Sequence, residues 1–278
     1  MKAVLFASSI ALTLASGSAF GADLVPLKAP VPASSWTGCY VDGGAGYGMW
    51  NQDNYSEATS GLTAASAPNT DGGSGWLGRA GAGCDYQVSP SIVVGAFGDY
   101  DWMGLNGTSN LDLSSIAASP FFGITGNEKE TSAWSFGARV GYLVTPRLLS
   151  YFDAGYTQTT FGQTNYINND SFAFARGSNT GLTMPATTYK GWFVGGGTEY
   201  ALNMAWLPIQ GLFVRSEYRF DSYGSRDIGL VCAGGGAQCG TAGVSAASVH
   251  ADKYVQTVTT GVVWKFNFGG PVPLVTKD

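Results

Sequence analysis

The feature that most constrains this chain is a period of two, carried by glycine and aromatic residues and recurring in eight separate segments. Thr37–Trp50 sets Cys39, Val41, Ala45 and Tyr47 on one face against Tyr40, Asp42, Gly44, Gly46 and Gly48. Seven further stretches repeat the scheme: Gly75–Val88, Ile92–Met103, Ser132–Val144, Leu149–Phe161, Tyr189–Leu202, Leu212–Tyr223 and Lys253–Phe268. Alternation of this kind is the signature of a strand whose two faces meet different surroundings. Each segment is longer than the roughly 9–11 residues that a tilted strand needs to cross a bilayer.

The connectors separate a sandwich from a membrane barrel. Three are short, around Ser89-Pro90-Ser91, Thr145-Pro146-Arg147 and Ala205–Gln210; four are long and polar, at about 51–74, 104–131, 162–188 and 224–252. Short and long alternate strictly, as periplasmic turns and outer loops do in bacterial outer-membrane barrels. A soluble sandwich has no reason to sort its turns into two length classes. In lipid no backbone group can stay unpaired, so the sheet must close on itself. The expected fold is therefore all-β: an eight-stranded antiparallel up-and-down transmembrane β-barrel with short periplasmic turns and four long extracellular loops.

The same physics assigns the faces. A barrel this narrow is filled by its own side chains, whereas Arg or Lys facing lipid costs about 2–4 kcal/mol at the midplane. The face carrying Asp42, Arg79, Asp85, Asp99, Asp101, Arg139, Asp153, Glu199, Arg215, Glu217, Arg219 and Lys265 must then point inward. Five cations and seven acids in one confined space are expected to pair, with glycines on the same face making room for the arginines. Trp50, Trp76, Trp102, Trp134 and Trp192 fall near loop-side ends, and Trp264 and Phe268 near the turn side, as two interfacial aromatic girdles.

The ends of the chain carry other information. Lys2, the apolar run Ala3–Ala15 and the small residues of Ala19-Phe20-Gly21 form a three-part secretory signal ending before Ala22. Residues 22–35 hold Pro26, Pro30 and Pro32 and read as a stiff periplasmic linker. The barrel is assigned to residues 36–268 and a periplasmic tail to 269–278. No later apolar run reaches helical spanning length.

Composition weighs against several activities. Only 12% of residues are charged, about half the usual share. Fourteen basic against nineteen acidic residues give no footprint for nucleic acid. One histidine, His250, leaves little material for a multi-histidine metal site, and none is assigned. Gly195-Gly-Gly197 sits in mid-strand and Gly234-Gly-Gly236 lacks a following Lys-Ser/Thr, so neither reads as a phosphate loop. Ser248-Val-His250 invites comparison with lipid-modifying barrel hydrolases, but a single loop histidine without a second motif reads more simply as solvated surface. Asp99 and Asp101 read as salt-bridged residues rather than an acid/base pair. No catalytic residue and no cofactor is assigned.

Four cysteines in an exported chain allow three pairings. Cys232 and Cys239 are separated by six residues in a glycine-rich stretch, where a local bridge closes easily. A hairpin joined by 51–74 pairs positions that sum to about 123–125, and 39 plus 84 meets that condition with both on the outer face. The expected bridges are Cys39–Cys84 and Cys232–Cys239.

Longer strings add a resemblance. Ala22-Asp23-Leu24, the Pro/Ala stretch and Trp36-Thr-Gly-Cys-Tyr-Val-Asp-Gly-Gly-Ala-Gly-Tyr-Gly48, with Gly191–Tyr200 and Val263–Phe268, make the chain similar to the small outer-membrane β-barrel proteins of alphaproteobacteria. These are often called outer-membrane immunogenic proteins or porin-like surface antigens. The chain departs from that family's usual aromatic at Cys39 and glycine at Asp42, and it continues past Phe268. The resemblance implies no catalytic residues. The resulting expectation is an outer-membrane scaffold with a largely plugged lumen, serving envelope integrity or surface contact. Its partners would be outer-membrane lipid, lipopolysaccharide and, during insertion, the barrel-assembly machinery. A narrow porin is the alternative, and a lipid-modifying hydrolase a third.

Overall fold

A computed structural model describes residues 36–58, 63–64, 66–113, 123–169, 175–202, 211–232 and 247–266. The expected signal sequence 1–21, linker 22–35, tail 269–278, Phe268, Cys239 and the connector Ala205–Gln210 lie outside these residues. Twelve strands follow one another: β1 Gly38–Ala58, β2 Thr63–Ala64, β3 Asn69–Gln87, β4 Ile92–Asp112, β5 Gly123–Thr145 and β6 Leu148–Phe161. Then come β7 Thr164–Asn168, β8 Asn179–Met184, β9 Thr187–Ala201, β10 Leu212–Gly229, β11 Val231–Cys232 and β12 Ala247–Phe266.

Eight of them close a ring in the order β1-β3-β4-β5-β6-β9-β10-β12, with every neighbour antiparallel. Closure is made by β1 and β12, in register from Cys39↔Phe266 to Ala58↔Ala247. Glycine allows one close approach in this seam. A Cβ on Gly261 would stand 2.5 Å from the Gly43 carbonyl oxygen, so only hydrogen fits there. The ring leaves no edge along the barrel wall, as lipid requires.

The outward face follows the alternation. Trp76, Trp102, Trp134 and Trp192 are exposed at one level and Trp264 near the turn side. Trp50 is a correction: it shares the parity of Gly44 and Gly48, points inward and is fully buried.

The long connectors are a second correction. Much of 51–74, 104–131, 162–188 and 224–252 is strand rather than loop. β1 runs on to Ala58, β4 to Asp112, β10 to Gly229, and β5 begins at Gly123. β7 pairs with β5 beyond the end of β6, β8 pairs with β7, and β11 pairs with β8. The sheet thus continues as an extracellular storey. Register shifts fall close to the tryptophan level, between Trp102 and Leu105, between Glu130 and Ser132, and between Ser222 and Ser225. At the last of these Gly224 takes φ +64°, a left-handed turn that glycine adopts without strain. Bulges of this kind are common where a barrel wall is re-aimed.

Candidate functional site

The interior is the part of this molecule where polar chemistry is concentrated, and it is stratified. At the periplasmic floor Trp36 is buried, with its ring 4.9 Å from Phe213 and its indole N–H donating to the Pro146 carbonyl at 3.3 Å. Val93, Leu149 and Val263 complete this apolar layer. Trp36, two residues before β1, thus packs into the turn-side end of the interior.

Above the floor lies the charge layer. All twelve residues assigned to it from parity face inward, and all five cations are in ion pairs. Asp85 takes the Arg139 Nη2 at 2.5 Å and Lys265 at 2.8 Å. Glu199 accepts from Arg139 at 3.2 Å, Arg215 at 3.0 Å and Lys265 at 2.7 Å. Arg79 grips Asp101 with two nitrogens at 2.7 and 2.9 Å, and Arg219 grips Asp99 at 3.0 and 3.1 Å. Both guanidinium groups also reach Glu217 at 2.8 Å, and the Tyr151 hydroxyl donates to it at 2.8 Å. Asp42 is held by Arg215 at 3.3 Å. Such forked contacts fix direction as well as charge.

Aromatic rings sit between the arginines. Arg139 and Arg215 lie 4.9 and 4.7 Å from the centre of Tyr40, and Arg219 lies 4.3 Å from that of Phe193. The glycines earn their positions by absence of a side chain. A Cβ on Gly95 would run into the Asp85 carboxylate, and one on Gly195 into Asp153.

Asp153 departs from the expected pairing. It stands opposite Arg139 in the sheet, but Arg139 turns to Asp85 and Glu199, and no ion pair reaches Asp153 among the described residues. A cavity beside it, bounded by Asp42, Arg79, Arg215 and Glu217, measures about 20 Å³. That is room for about one water.

A third layer was not expected from the sequence. Trp50, Leu77, Met103, Leu105, Phe161, Tyr189 and Val255 pack across the lumen above the charges, continuous with Leu111, Ile124, Leu182 and Val249 higher up. Lys253 is buried among them, 4.0 Å from the centre of Phe161 and 4.9 Å from that of Trp50. Its ammonium donates to Glu128 at 2.7 Å and to Gln52. Glu130 accepts from the Thr159 hydroxyl at 2.6 Å, and burial pushes its carboxyl up to about 8. Asp71 ties β1, β3 and β4 together through Asn54 at 2.8 Å and the Asn110 backbone N–H at 2.7 Å.

Parity would have found Lys253 and Asp221, which share the inward register of Lys265 and Glu217. Glu128 and Glu130 stood in a stretch read as loop and carried no signal.

Ser248 and His250 lie on β12, not in a loop. The Ser248 hydroxyl donates to Glu57 at 3.5 Å, while His250 Nδ1 lies 2.5 Å from Asp227. Serine and histidine are therefore engaged elsewhere, not joined as nucleophile and base. His250 is also stacked on Tyr55, with ring centres 4.7 Å apart, rather than standing free in solvent. Cys39 and Cys84 are cross-strand partners joined in a disulfide on the outer face. Cys232 is also disulfide-bonded.

Comparison with known proteins agrees with this architecture. The family model of the outer membrane protein beta-barrel domain matches residues 7–266. A 31 kDa outer-membrane immunogenic protein of Brucella melitensis is 29% identical over 241 residues, covering 82% of this chain and 90% of the relative. A 25 kDa outer-membrane immunogenic protein of Brucella abortus is 29% identical over 231 residues, covering 80% and 85%. The outer membrane protein OprG of Pseudomonas aeruginosa shares the fold, with TM-score 0.50 at 12% identity, over 85% of this chain and 100% of that one. The ring of eight antiparallel strands and the family match along almost all of it lead to one conclusion: this chain belongs to the outer membrane protein beta-barrel domain family and resides in the bacterial outer membrane.

Proposed function

We propose that this protein is a non-enzymatic scaffold, anchored by a plugged barrel and displaying its extracellular storey for envelope integrity or surface contact. The observation that carries this reading is the stratified lumen. An apolar floor, a cross-linked charge layer and an apolar ceiling lie in series along the path a solute would take. Unpairing those charges to open a channel would strand ions in a low-dielectric interior, at several kcal/mol each. The outer aromatic wall is the surface that meets lipid and lipopolysaccharide, and the barrel-assembly machinery is the proposed partner during insertion.

A narrow porin is the second reading. It is favoured by the small cavity and by the Arg215–Asp42 contact, at 3.3 Å one of the looser pairs of the layer. Planar-bilayer recording on the refolded protein separates the two. The scaffold reading expects a silent membrane or small, infrequent openings. Large, stable conductance steps would defeat it, and in the porin reading Arg215→Ala would alter their ion preference.

A further inference from the structure

On the outer wall of the extracellular storey three neighbouring strands bring together an imidazole and two carboxylates. In the sheet His250 of β12 stands directly opposite Tyr55 of β1 on one side and Asp227 of β10 on the other. Glu57 follows Tyr55 by two residues on the same face, opposite Ser248. One ligand atom from each of Glu57, Asp227 and His250 lies within 4.8 Å of the other two. The histidine is already oriented, stacked on Tyr55 with an interplanar angle of 22° and in contact with Asp227 at 2.5 Å.

Two further observations point to a cation. Glu57 is 5% exposed, and among the described residues its hydrogen-bond donors are the hydroxyls of Ser248 and Tyr55. No Lys or Arg pairs with it among the described residues. A carboxylate so buried without a positive partner is costly. Just below, Asp53 faces Asp252 directly across the same pair of strands, an arrangement that is destabilising for like charges. Arg226, next to Asp227 in sequence, stands opposite Ala251 on the other face and donates to the Thr188 carbonyl at 2.7 Å. This wall thus holds four carboxylates and one imidazole, and no Lys or Arg pairs with them among the described residues.

We propose that Glu57, Asp227 and His250 form a binding site for a divalent transition-metal ion of the zinc class. One nitrogen and two oxygens suit such an ion, whereas calcium and magnesium prefer six or more oxygen ligands. Ligand atoms around tetrahedral zinc stand about 3.3 Å apart at bond lengths of about 2.0–2.1 Å. Binding therefore needs the His250–Asp227 contact to open slightly and Glu57 to close in. Three protein ligands leave a coordination position facing solvent, as in sites that exchange a water or a further ligand. The sequence gives no hint of the site, because its members are up to 193 residues apart in the chain and all three fall in stretches that read as loops.

The test is a zinc titration by calorimetry on refolded, tag-free protein in detergent, compared with His250→Ala and Glu57→Gln. The expected result is one Zn²⁺ per chain, weakened at least tenfold in each variant and not displaced by millimolar Ca²⁺. Heat-modifiable gel migration checks that the variants are folded. His250 is the only histidine, so its imidazole proton signals report independently on the unaltered protein and should shift with added Zn²⁺. Zinc binding unchanged in His250→Ala, equal competition by Ca²⁺, or an imidazole signal indifferent to Zn²⁺ would each overturn the proposal.

Discussion

Arg139 shows how much of this lumen hangs on single side chains. Its guanidinium serves Asp85 and Glu199 at once and lies between the rings of Tyr40 and Tyr151. Replacing it with methionine keeps much of the bulk but leaves two buried carboxylates with less positive charge. Breaking a buried pair in this way costs roughly 3–5 kcal/mol. Arg139→Met should lower the urea midpoint of the reconstituted barrel, read by tryptophan fluorescence; an unchanged midpoint would show that the pairing contributes nothing net. Arg139→Lys should rescue only part, because a single ammonium cannot reproduce the fork.

Glu130 makes a different prediction. It sits on β5 four residues beyond Trp134, outside the lipid band, and its carboxyl is raised from 4.5 to about 8 by burial. The folded state therefore holds this proton more tightly than the unfolded chain does. Its stability contribution is intact below about pH 4.5 and is lost as pH climbs through about 8. Glu130→Gln should match the wild type near pH 4 and exceed it near pH 9. The gain should be on the order of a few kcal/mol, at about 1.4 kcal/mol per pKa unit. Parallel pH profiles for the two proteins would refute the assignment.

Among the elements, the β1–β3 hairpin is tied twice, by its sheet register and by Cys39–Cys84 near the turn-side end. A bridge over a separation of 45 residues contributes roughly 2–4 kcal/mol by restricting the unfolded chain. Cys39→Ser should lower the urea midpoint while leaving heat-modifiable migration intact, and reduction of the wild type, which also opens the Cys232 bridge, should lower it at least as far. A midpoint insensitive to reductant would argue against any such contribution.

The membrane-spanning halves of these strands were legible because their two faces differ so sharply. Val94, Ala96 and Tyr100 alternate with Gly95, Asp99 and Asp101, and lipid permits one orientation only. That parity also places Cys39 and Cys84 on one face and rules Trp50 out of the girdle. The upper halves were not legible because contrast between faces is lost there. In Asn51–Ser56 the outward Asn51, Asp53 and Tyr55 alternate with the inward Gln52, Asn54 and Ser56, so a strand reads like a polar loop. Their pairing is decided by the neighbouring strands and by Asp71, none of which a local pattern reveals. Asp153 departs from the general expectation that the inward charges pair, for a related reason. It stands opposite Arg139 in the sheet, but side-chain reach across the lumen gives Arg139 to Asp85 and Glu199.

For the molecule as a whole, closure and stratification support each other. A ring of eight strands leaves an interior just wide enough for side chains, and this sequence fills it with ions at mid-height and with apolar groups above and below. The ceiling is built in part by the extracellular storey, so the part that looks like decoration in the sequence also packs onto the barrel's interior.

The length of the strands then has a topographic consequence. β5 has 23 residues, and at about 3.3 Å per residue and a tilt near 40° it rises roughly 58 Å, against an apolar band about 25 Å tall. More than half of that height stands clear of the hydrocarbon. The barrel wall is a mast that carries its rim well above the apolar band. Whatever approaches the cell from the medium meets that rim before it meets lipid. Because the mast is woven sheet, what it presents is assembled from side chains distant in sequence, and an antibody or receptor fitted to it would read shape and not a linear peptide.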